Sequence, residues 1–175
     1  MAHTYTDQAI ALNIAVLTVS DSRTEATDTS GQLLVERLTG AGHNLSDKRI
    51  LADDKYRIRA QVAQWAADDR TQVVLITGGT GFTERDATPE AVQPLFDKEV
   101  QGFGELFRQL SYEEIGSSTV QSRAVAGFSN DMLIFCLPGS SNACRTAWDR
   151  IIREQLDSQH RPCNFVLRLK PVTEN

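Results

Sequence analysis

The residues whose types and spacing best suit chemistry lie in a glycine-rich segment at positions 77–89, TGGTGFTERDATP. Gly78, Gly79, Thr80 and Gly81 follow directly after an apolar run. Glycine permits positive φ and lets a ligand approach the main chain, and successive N–H groups in such a turn bind anions. The segment therefore predicts a phosphate-binding loop, although a tight strand-to-helix turn that binds nothing would have the same composition. No Gly-Lys-Ser/Thr string follows, so the segment is not a Walker A loop.

Carboxylates lie near this segment or at the end of another predicted strand. Asp86 comes a few residues after the glycines, and Asp53 and Asp54 follow a separate strand. A carboxylate beside bound phosphates repels them unless a cation such as Mg²⁺ bridges the two groups, so these acids predict a metal site. The alternatives are that Asp86 caps the helix beginning near Thr88 and that the paired acids are solvated turn residues.

Two predicted helix starts offer further donors. They are the strings DTSG at 28–31 and PGSS at 138–141. The free N–H groups and the dipole of a helix N-terminus bind anions, but the same residue types also serve as ordinary N-caps. Together, the two helix starts, the glycine turn and the three acids predict a polyphosphate site with a metal ion. No Ser-His-Asp or Cys-His arrangement competes with this interpretation of the sequence.

Alternating strands and helices must position these groups. The predicted strands cover residues 13–19, 44–52, 73–77 and 132–137, and the predicted helices cover about 28–40, 55–67, 89–96, 102–115, 120–126 and 141–156. This order is typical of a mostly parallel sheet with helices on both faces, in which ligands bind beyond the carboxyl ends of the strands. The four loops that begin at Ser20, Ala52, Gly78 and Pro138 should therefore meet at one edge of the sheet.

Composition excludes several classes of protein. The chain has 18 basic and 23 acidic residues, a net charge of −5, which argues against a nucleic-acid binder with a broad basic surface. No stretch is long and apolar enough to span a bilayer, and no apolar signal core follows Met1, so we expect a cytoplasmic protein. The three cysteines and three histidines are scattered, which does not suit a zinc site. We predict a flexible segment at 1–11, one α/β domain at 12–158, and a tail at 159–175 that packs on the domain or on a neighbouring subunit.

Seven strings carry a resemblance to a known family, among them GFGELFR at 102–108, EIG at 114–116 and SRA at 122–124. LTVSDSR at 17–23, DTSG at 28–31, the segment 78–89 and LPGS at 137–140 resemble the MoaB/MogA family of molybdenum-cofactor biosynthesis proteins, over about residues 12–165. The resemblance implies the molybdopterin-binding, MogA-like fold, a three-layer α/β/α sandwich with a mostly parallel sheet. It also implies Mg-dependent adenylylation of molybdopterin by ATP with release of pyrophosphate, so that Mg²⁺ is the cofactor while ATP and molybdopterin are substrates.

The resemblance also assigns roles to residues. Asp53 and Asp86 become the catalytic acids and the ligands of Mg²⁺. The residues expected to bind substrate or phosphate are Ser20, Asp21, Ser30, Gly78, Gly79, Thr80, Gly81, Pro138, Gly139 and Ser140. A homotrimer or hexamer and contacts with other proteins of the pathway are implied as well. Two alternatives stay open, a non-catalytic molybdopterin or nucleotide carrier and a nucleotide pyrophosphatase on a related fold.

Overall fold

A six-stranded sheet runs through the part of the chain that the computed structural model describes, residues 5–172. Its order is β2-β1-β3-β6-β5-β4. The first four strands in this order are mutually parallel, whereas β5 is antiparallel to β6 and β4 to β5. The strands are β1 (Asn13–Val19), β2 (Asn44–Leu51), β3 (Val73–Thr77), β4 (Lys98–Glu99), β5 (Val125–Ser129) and β6 (Met132–Leu137). The predicted mostly parallel sheet is confirmed.

Helices cover both faces of the sheet. They are α1 (Thr29–Gly40), α2 (Lys55–Ala67), α3 (Thr88–Val92), α4 (Gln101–Ile115), α5 (Ser141–Ala147) and α6 (Arg153–Gln155), with a π-helical turn at Trp148–Ile152 between the last two. Short 3₁₀ turns lie at Gln93–Leu95, Gly116–Gln121 and Val166–Arg168. Helices α1, α4 and α5 pack on one face, and α2 and α3 pack on the other. The fold is thus the predicted three-layer sandwich.

The central strands owe their burial to continuous apolar runs. Because successive side chains of a strand point to opposite faces, Val16 of β1 packs in one core while Leu17 packs in the other. Every residue of β3 and β6 is buried. By contrast, β2 lies at the edge of the sheet and carries the polar sequence NLSDKRIL with no buried position. The rigid strands β1, β3 and β6 therefore fix where the loops after them begin.

The helix predicted at 120–126 is wrong. The chain forms a 3₁₀ turn at Gly116–Gln121 and then enters β5, which pairs antiparallel with β6. Asn130 and Asp131, the two residues between these strands, have φ of 49° and 55°. Positive φ at both positions makes a tight hairpin turn that suits Asn and Asp. Cross-strand pairing therefore outweighed the weak helical pattern at these positions.

Both chain ends lie against the domain where they are described. The Ser158 hydroxyl donates to the Gln8 carbonyl at 2.7 Å and accepts from the Ile10 N–H at 3.0 Å. At the other end, Val166 and Leu169 join the core. Residues 1–4 of the predicted N-terminal segment and 173–175 of the predicted tail lie outside the described residues. No helix within 5–172 has the length and apolar character needed to cross a bilayer.

Candidate functional site

The carboxyl ends of β1, β2, β3 and β6 border a cleft of about 280 Å³. The Ser20 N–H donates to the Leu51 carbonyl at 2.9 Å, which joins the loops after β1 and β2. The Gly78 N–H donates to the Leu137 carbonyl at 3.1 Å, which joins the loops after β3 and β6. Ten of the predicted site residues line the cleft: Ser20, Asp21, Ser30, Asp53, Gly78, Gly79, Thr80, Gly81, Asp86 and Gly139. Pro138 and Ser140 line an adjacent cavity of about 290 Å³, which shares Thr80 and Gly81 with the cleft.

The glycine turn needs glycine for steric reasons. Gly78 and Gly79 have φ of +100° and +65°, a region that other residues rarely adopt. A Cβ on Gly78 would lie 2.2 Å from the Val19 carbonyl oxygen. A Cβ on Gly79 would lie 2.2 Å from Thr88 Oγ1 and 2.6 Å from Asp53 Oδ1. The turn is therefore pressed against the end of β1 and against one of the predicted acids.

Asp53 carries an unsatisfied carboxylate. Its Oδ1 is buried and has no hydrogen-bond partner in the described structure. Burial raises the pKa of this carboxyl, and the nearby charges of Asp86 and Asp21 raise it further. Buried polar atoms are nearly always paired, so an unpaired one beside two other acids suggests a place for a cation.

Asp86 is held by the loop that contains it. Its Oδ2 accepts hydrogen bonds from the Thr83 hydroxyl at 2.6 Å and from the Thr83 N–H at 2.9 Å. The Thr83 hydroxyl is the main cause of the lowered pKa of Asp86, so this acid is ionised at neutral pH. The alternative of a helix cap is wrong, because the N-cap of α3 is Ala87 and no side chain caps it.

The third acid of the cleft is Asp21 and not Asp54. The Asp54 carboxylate accepts from the N–H groups of Tyr56 and Arg57 and caps α2, which lowers its pKa. Asp21 accepts from the Asp53 N–H at 3.0 Å. It also forms a bidentate ion pair with Arg85, whose Nη2 and Nε donate to the two carboxylate oxygens at 2.7 and 3.1 Å. The Arg85 guanidinium is thus engaged with Asp21 across the loops.

The helix starts serve as caps. Asp28 caps α1 by accepting from the Gly31 N–H at 3.0 Å, and its buried carboxylate also accepts from the Thr18 hydroxyl at 2.9 Å. Ser140 caps α5 by accepting from the Ala143 N–H at 3.1 Å. Ser30, in the first turn of α1, lines the cleft directly. Capping does not remove the remaining N–H groups from the reach of an anion.

Sequence reasoning missed the contribution of Arg123. Its guanidinium donates to the carbonyls of Thr80 and Asp86, at 3.1 and 2.9 Å, and pairs with the Glu90 carboxylate. The ring of Phe82 lies against the same guanidinium, 5.3 Å from its centroid to Cζ. These contacts join positions about forty residues apart, so no local pattern in the sequence could have revealed them.

The donors in the cleft suit Mg²⁺ better than a metal ion that side chains alone would have to coordinate. Within 5–172 there is no group of three or more His, Cys, Asp and Glu side chains arranged to hold a metal. Asp53 and Asp86 line one cleft with hydroxyls and main-chain groups around them. Mg²⁺ is usually bound by one or two carboxylates and completes its coordination with water and substrate phosphates. The unpaired Oδ1 of Asp53 is the atom that such an ion would satisfy.

Comparison with known proteins shows the family to which the chain is similar. Residues 15–158 match the family described as a probable molybdopterin binding domain. The molybdenum cofactor biosynthesis protein B of Escherichia coli K12 is 60% identical over 161 residues, which cover 92% of this chain and 95% of that protein. The protein of the same name from Bacillus subtilis 168 is 46% identical over 142 residues, 81% of this chain and 84% of that protein.

Solved structures share the fold. A crystal structure of a molybdenum cofactor biosynthesis protein B superposes with a TM-score of 0.81 at 47% identity, over 84% of this chain and 92% of that one. The tungsten cofactor synthesizing protein MoaB from Pyrococcus furiosus superposes with a TM-score of 0.73 at 40% identity, over 82% of this chain and 92% of that one. On its motifs, fold and relatives, the chain belongs to the MoaB/MogA family of molybdenum-cofactor biosynthesis proteins.

Proposed function

We propose that this protein transfers the adenylyl group of ATP to molybdopterin in a Mg²⁺-dependent reaction and releases pyrophosphate. One observation carries the proposal: Asp53, whose buried Oδ1 is unpaired, lines the same cleft as Asp86, beside a glycine turn with positive φ. A cation between two acids and an anion-binding turn next to it are the parts that phosphoryl-type transfer requires. Membership of the family supplies the identity of the acceptor.

The proposed reaction forms one phosphorus–oxygen bond and breaks another. An oxygen of the terminal phosphate of molybdopterin attacks the α-phosphorus of ATP, and the bond from that phosphorus to the bridging oxygen breaks, with pyrophosphate leaving. Asp53 and Asp86 would hold Mg²⁺, which would supply positive charge next to the triphosphate.

The chain's own groups would hold and orient the two anions. The main-chain N–H of Gly79, together with the hydroxyls of Thr80 and Ser140, is suited to bind phosphate oxygens, whereas Gly81 lies against the Asp86 carboxylate. Ser20 and Asp21 would border the ligand, and Asp21 would keep the loop of Asp53 in place through the Asp53 N–H. Positioning of two anions in line, together with fixed charge, is expected to carry most of the rate.

The proposal is tested by mixing the purified protein with molybdopterin and Mg-ATP and measuring pyrophosphate together with the mass of the pterin product. We expect equal amounts of pyrophosphate and adenylylated molybdopterin. Asp86→Asn should lower turnover by a factor on the order of 10² or more, because a carboxylate ligand of the metal is lost. The amide oxygen of the introduced asparagine can still accept from Thr83, so the loop should keep its shape.

Asp54→Asn is the matched control, because it makes the same replacement of a carboxylate oxygen by an amide nitrogen in the acid next to Asp53. Asn caps helices as well as Asp does, and the Asp54 cap bonds lie outside the cleft, so turnover should stay close to that of the wild type. Full turnover in a folded Asp86→Asn protein would refute the role of that acid. Pterin binding without pyrophosphate release would instead favour a carrier, and release of AMP to water would favour a pyrophosphatase.

Assembly into a homotrimer or hexamer and contacts with other proteins of the pathway stay predictions. Cytoplasmic placement likewise stays an expectation from the sequence. The proposed reaction requires none of these, since every side chain to which it gives a role belongs to one copy of the chain.

A further inference from the structure

Arg123 holds the loop that follows the glycine turn and does not itself line the cleft. It belongs to the segment between the 3₁₀ turn Gly116–Gln121 and β5. Its Nε donates to the Thr80 carbonyl at 3.1 Å, and its Nη2 donates to the Asp86 carbonyl at 2.9 Å. One planar guanidinium therefore holds both ends of the loop that carries Asp86, and its side chain is only 22% exposed.

The two peptide units that Arg123 holds both border Asp86. The unit that contains the Thr80 carbonyl also contains the N–H of Gly81, and a Cβ on Gly81 would lie 2.7 Å from Asp86 Oδ2. The unit that contains the Asp86 carbonyl belongs to the main chain of Asp86 itself and also contains the Ala87 N–H. In a trans peptide the C=O and N–H bonds point in opposite directions, so fixing the carbonyl on one side aims the N–H to the other.

We propose that Arg123 is a positioning residue that sets the orientation of Asp86 through these two peptide units. The inference rests on the proposed function only in treating the Asp86 carboxylate as a reactive acid. The contacts run from the guanidinium to the carbonyl of Asp86 itself and to the carbonyl of the unit that leads into Gly81, which packs against the Asp86 carboxylate.

Neighbouring contacts hold the guanidinium itself in place. The Glu90 carboxylate pairs with it from α3, and the Phe82 ring covers one of its faces. Neither Glu90 nor Phe82 lines the cleft that holds the acids. The Phe82 side chain is 69% exposed. Their contacts suit a role in keeping a planar fork at a fixed angle, which a lysine could not reproduce.

Arg59 provides a matched comparison within the same chain. Its Nε and Nη2 donate to the carbonyls of Ala91 and Glu90, at 3.0 and 2.8 Å, so it too holds two carbonyls with one guanidinium. Those carbonyls belong to α3, and neither of their peptide units belongs to Asp86 or Gly81. A merely structural role would make the two arginines equivalent in effect, whereas positioning of Asp86 makes them different.

The test compares Arg123→Met with Arg59→Met in two measurements, steady-state kinetics and amide hydrogen exchange resolved at Gly81 and Ala87. For Arg123→Met we expect kcat to fall about 10- to 100-fold, as is typical when a residue that orients a metal ligand is removed, with a smaller change in KM for ATP. Exchange at both amides should become about tenfold faster or more, since the peptide units lose their anchor. Arg59→Met should leave kcat and both exchange rates within about twofold of the wild type.

Arg123→Lys guards against a variant that fails to fold, because it keeps the positive charge and a donor nitrogen but loses the planar fork that reaches two carbonyls. It should show an intermediate kcat and faster exchange at one or both amides. Wild-type kcat and exchange in folded Arg123→Met or Arg123→Lys would overturn the inference, as would equal losses in Arg59→Met. If the wild type transfers no adenylyl group, the proposed function fails, and the exchange rates at Gly81 and Ala87 alone decide the role of Arg123.

Discussion

Replacement of Gly79 by alanine tests how tightly the glycine turn is built against the acids. Gly79 has φ of +65°, and a Cβ there would lie 2.2 Å from Thr88 Oγ1 and 2.6 Å from Asp53 Oδ1. Both separations are far below van der Waals contact, so atoms on both sides must move. The substitution therefore combines backbone strain with a steric clash at the centre of the cleft.

The cost of Gly79→Ala follows from three contributions. The left-handed backbone costs a residue with a Cβ about 1–2 kcal/mol. Displacement of Thr88 Oγ1 breaks the hydrogen bond that it donates to the Gly78 carbonyl at 2.9 Å, which costs about 1 kcal/mol. Against this, alanine restricts the unfolded chain and recovers about 0.5 kcal/mol. We therefore expect the free energy of unfolding to fall by about 2 kcal/mol.

Urea unfolding followed by far-UV circular dichroism measures this change. Gly42→Ala is the matched control, because Gly42 has φ of +87° but a Cβ added there would meet no atom within 4 Å. It should lose only the backbone contribution, about 1 kcal/mol. Equal losses in the two variants would refute the clash, and wild-type stability in Gly79→Ala would refute the whole account of the turn.

Two further substitutions test charges that the fold has buried. Burial and the charges of Asp86 and Asp21 raise the pKa of Asp53. The ionised carboxylate therefore destabilises the folded state above that raised pKa, and this destabilisation decreases as the pH falls toward 3.8. Asp53→Asn should thus unfold at a higher temperature than the wild type at pH 7 without Mg²⁺, and the difference in unfolding temperature should decrease toward pH 4; a difference that does not change with pH would contradict this. The Lys170 ammonium donates to the carbonyls of Trp65, Ala66 and Asp68 at the end of α2. Lys170→Met should lower the free energy of unfolding in urea by about 2–3 kcal/mol, whereas the exposed Lys98→Met should not.

The layout of the fold could be predicted because the strong strands and helices carry local patterns. The runs that became β1, β3 and β6 are continuously apolar, and α1, α2 and α4 carry their buried apolar residues at regular helical spacing. Parallel strands bring their carboxyl ends to one edge, so the meeting of the glycine turn with Asp53 and Asp86 also followed from the sequence. The hairpin β5–β6 did not, since pairing between strands decided it and not local propensity.

Amino-acid order by itself determined which loops form the cleft and that one of them is a glycine-rich turn at 78–81. Only the tertiary structure decided what each acid does there. Asp53 and Asp54 are adjacent and chemically identical, yet one leaves a buried oxygen unpaired in the cleft while the other caps α2. Likewise, nothing near Arg123 in sequence marks it as the partner of the Thr80 and Asp86 carbonyls. The physical reason is that hydrogen bonding and desolvation depend on groups brought together from distant positions, whereas turn and strand preferences depend on neighbours along the chain.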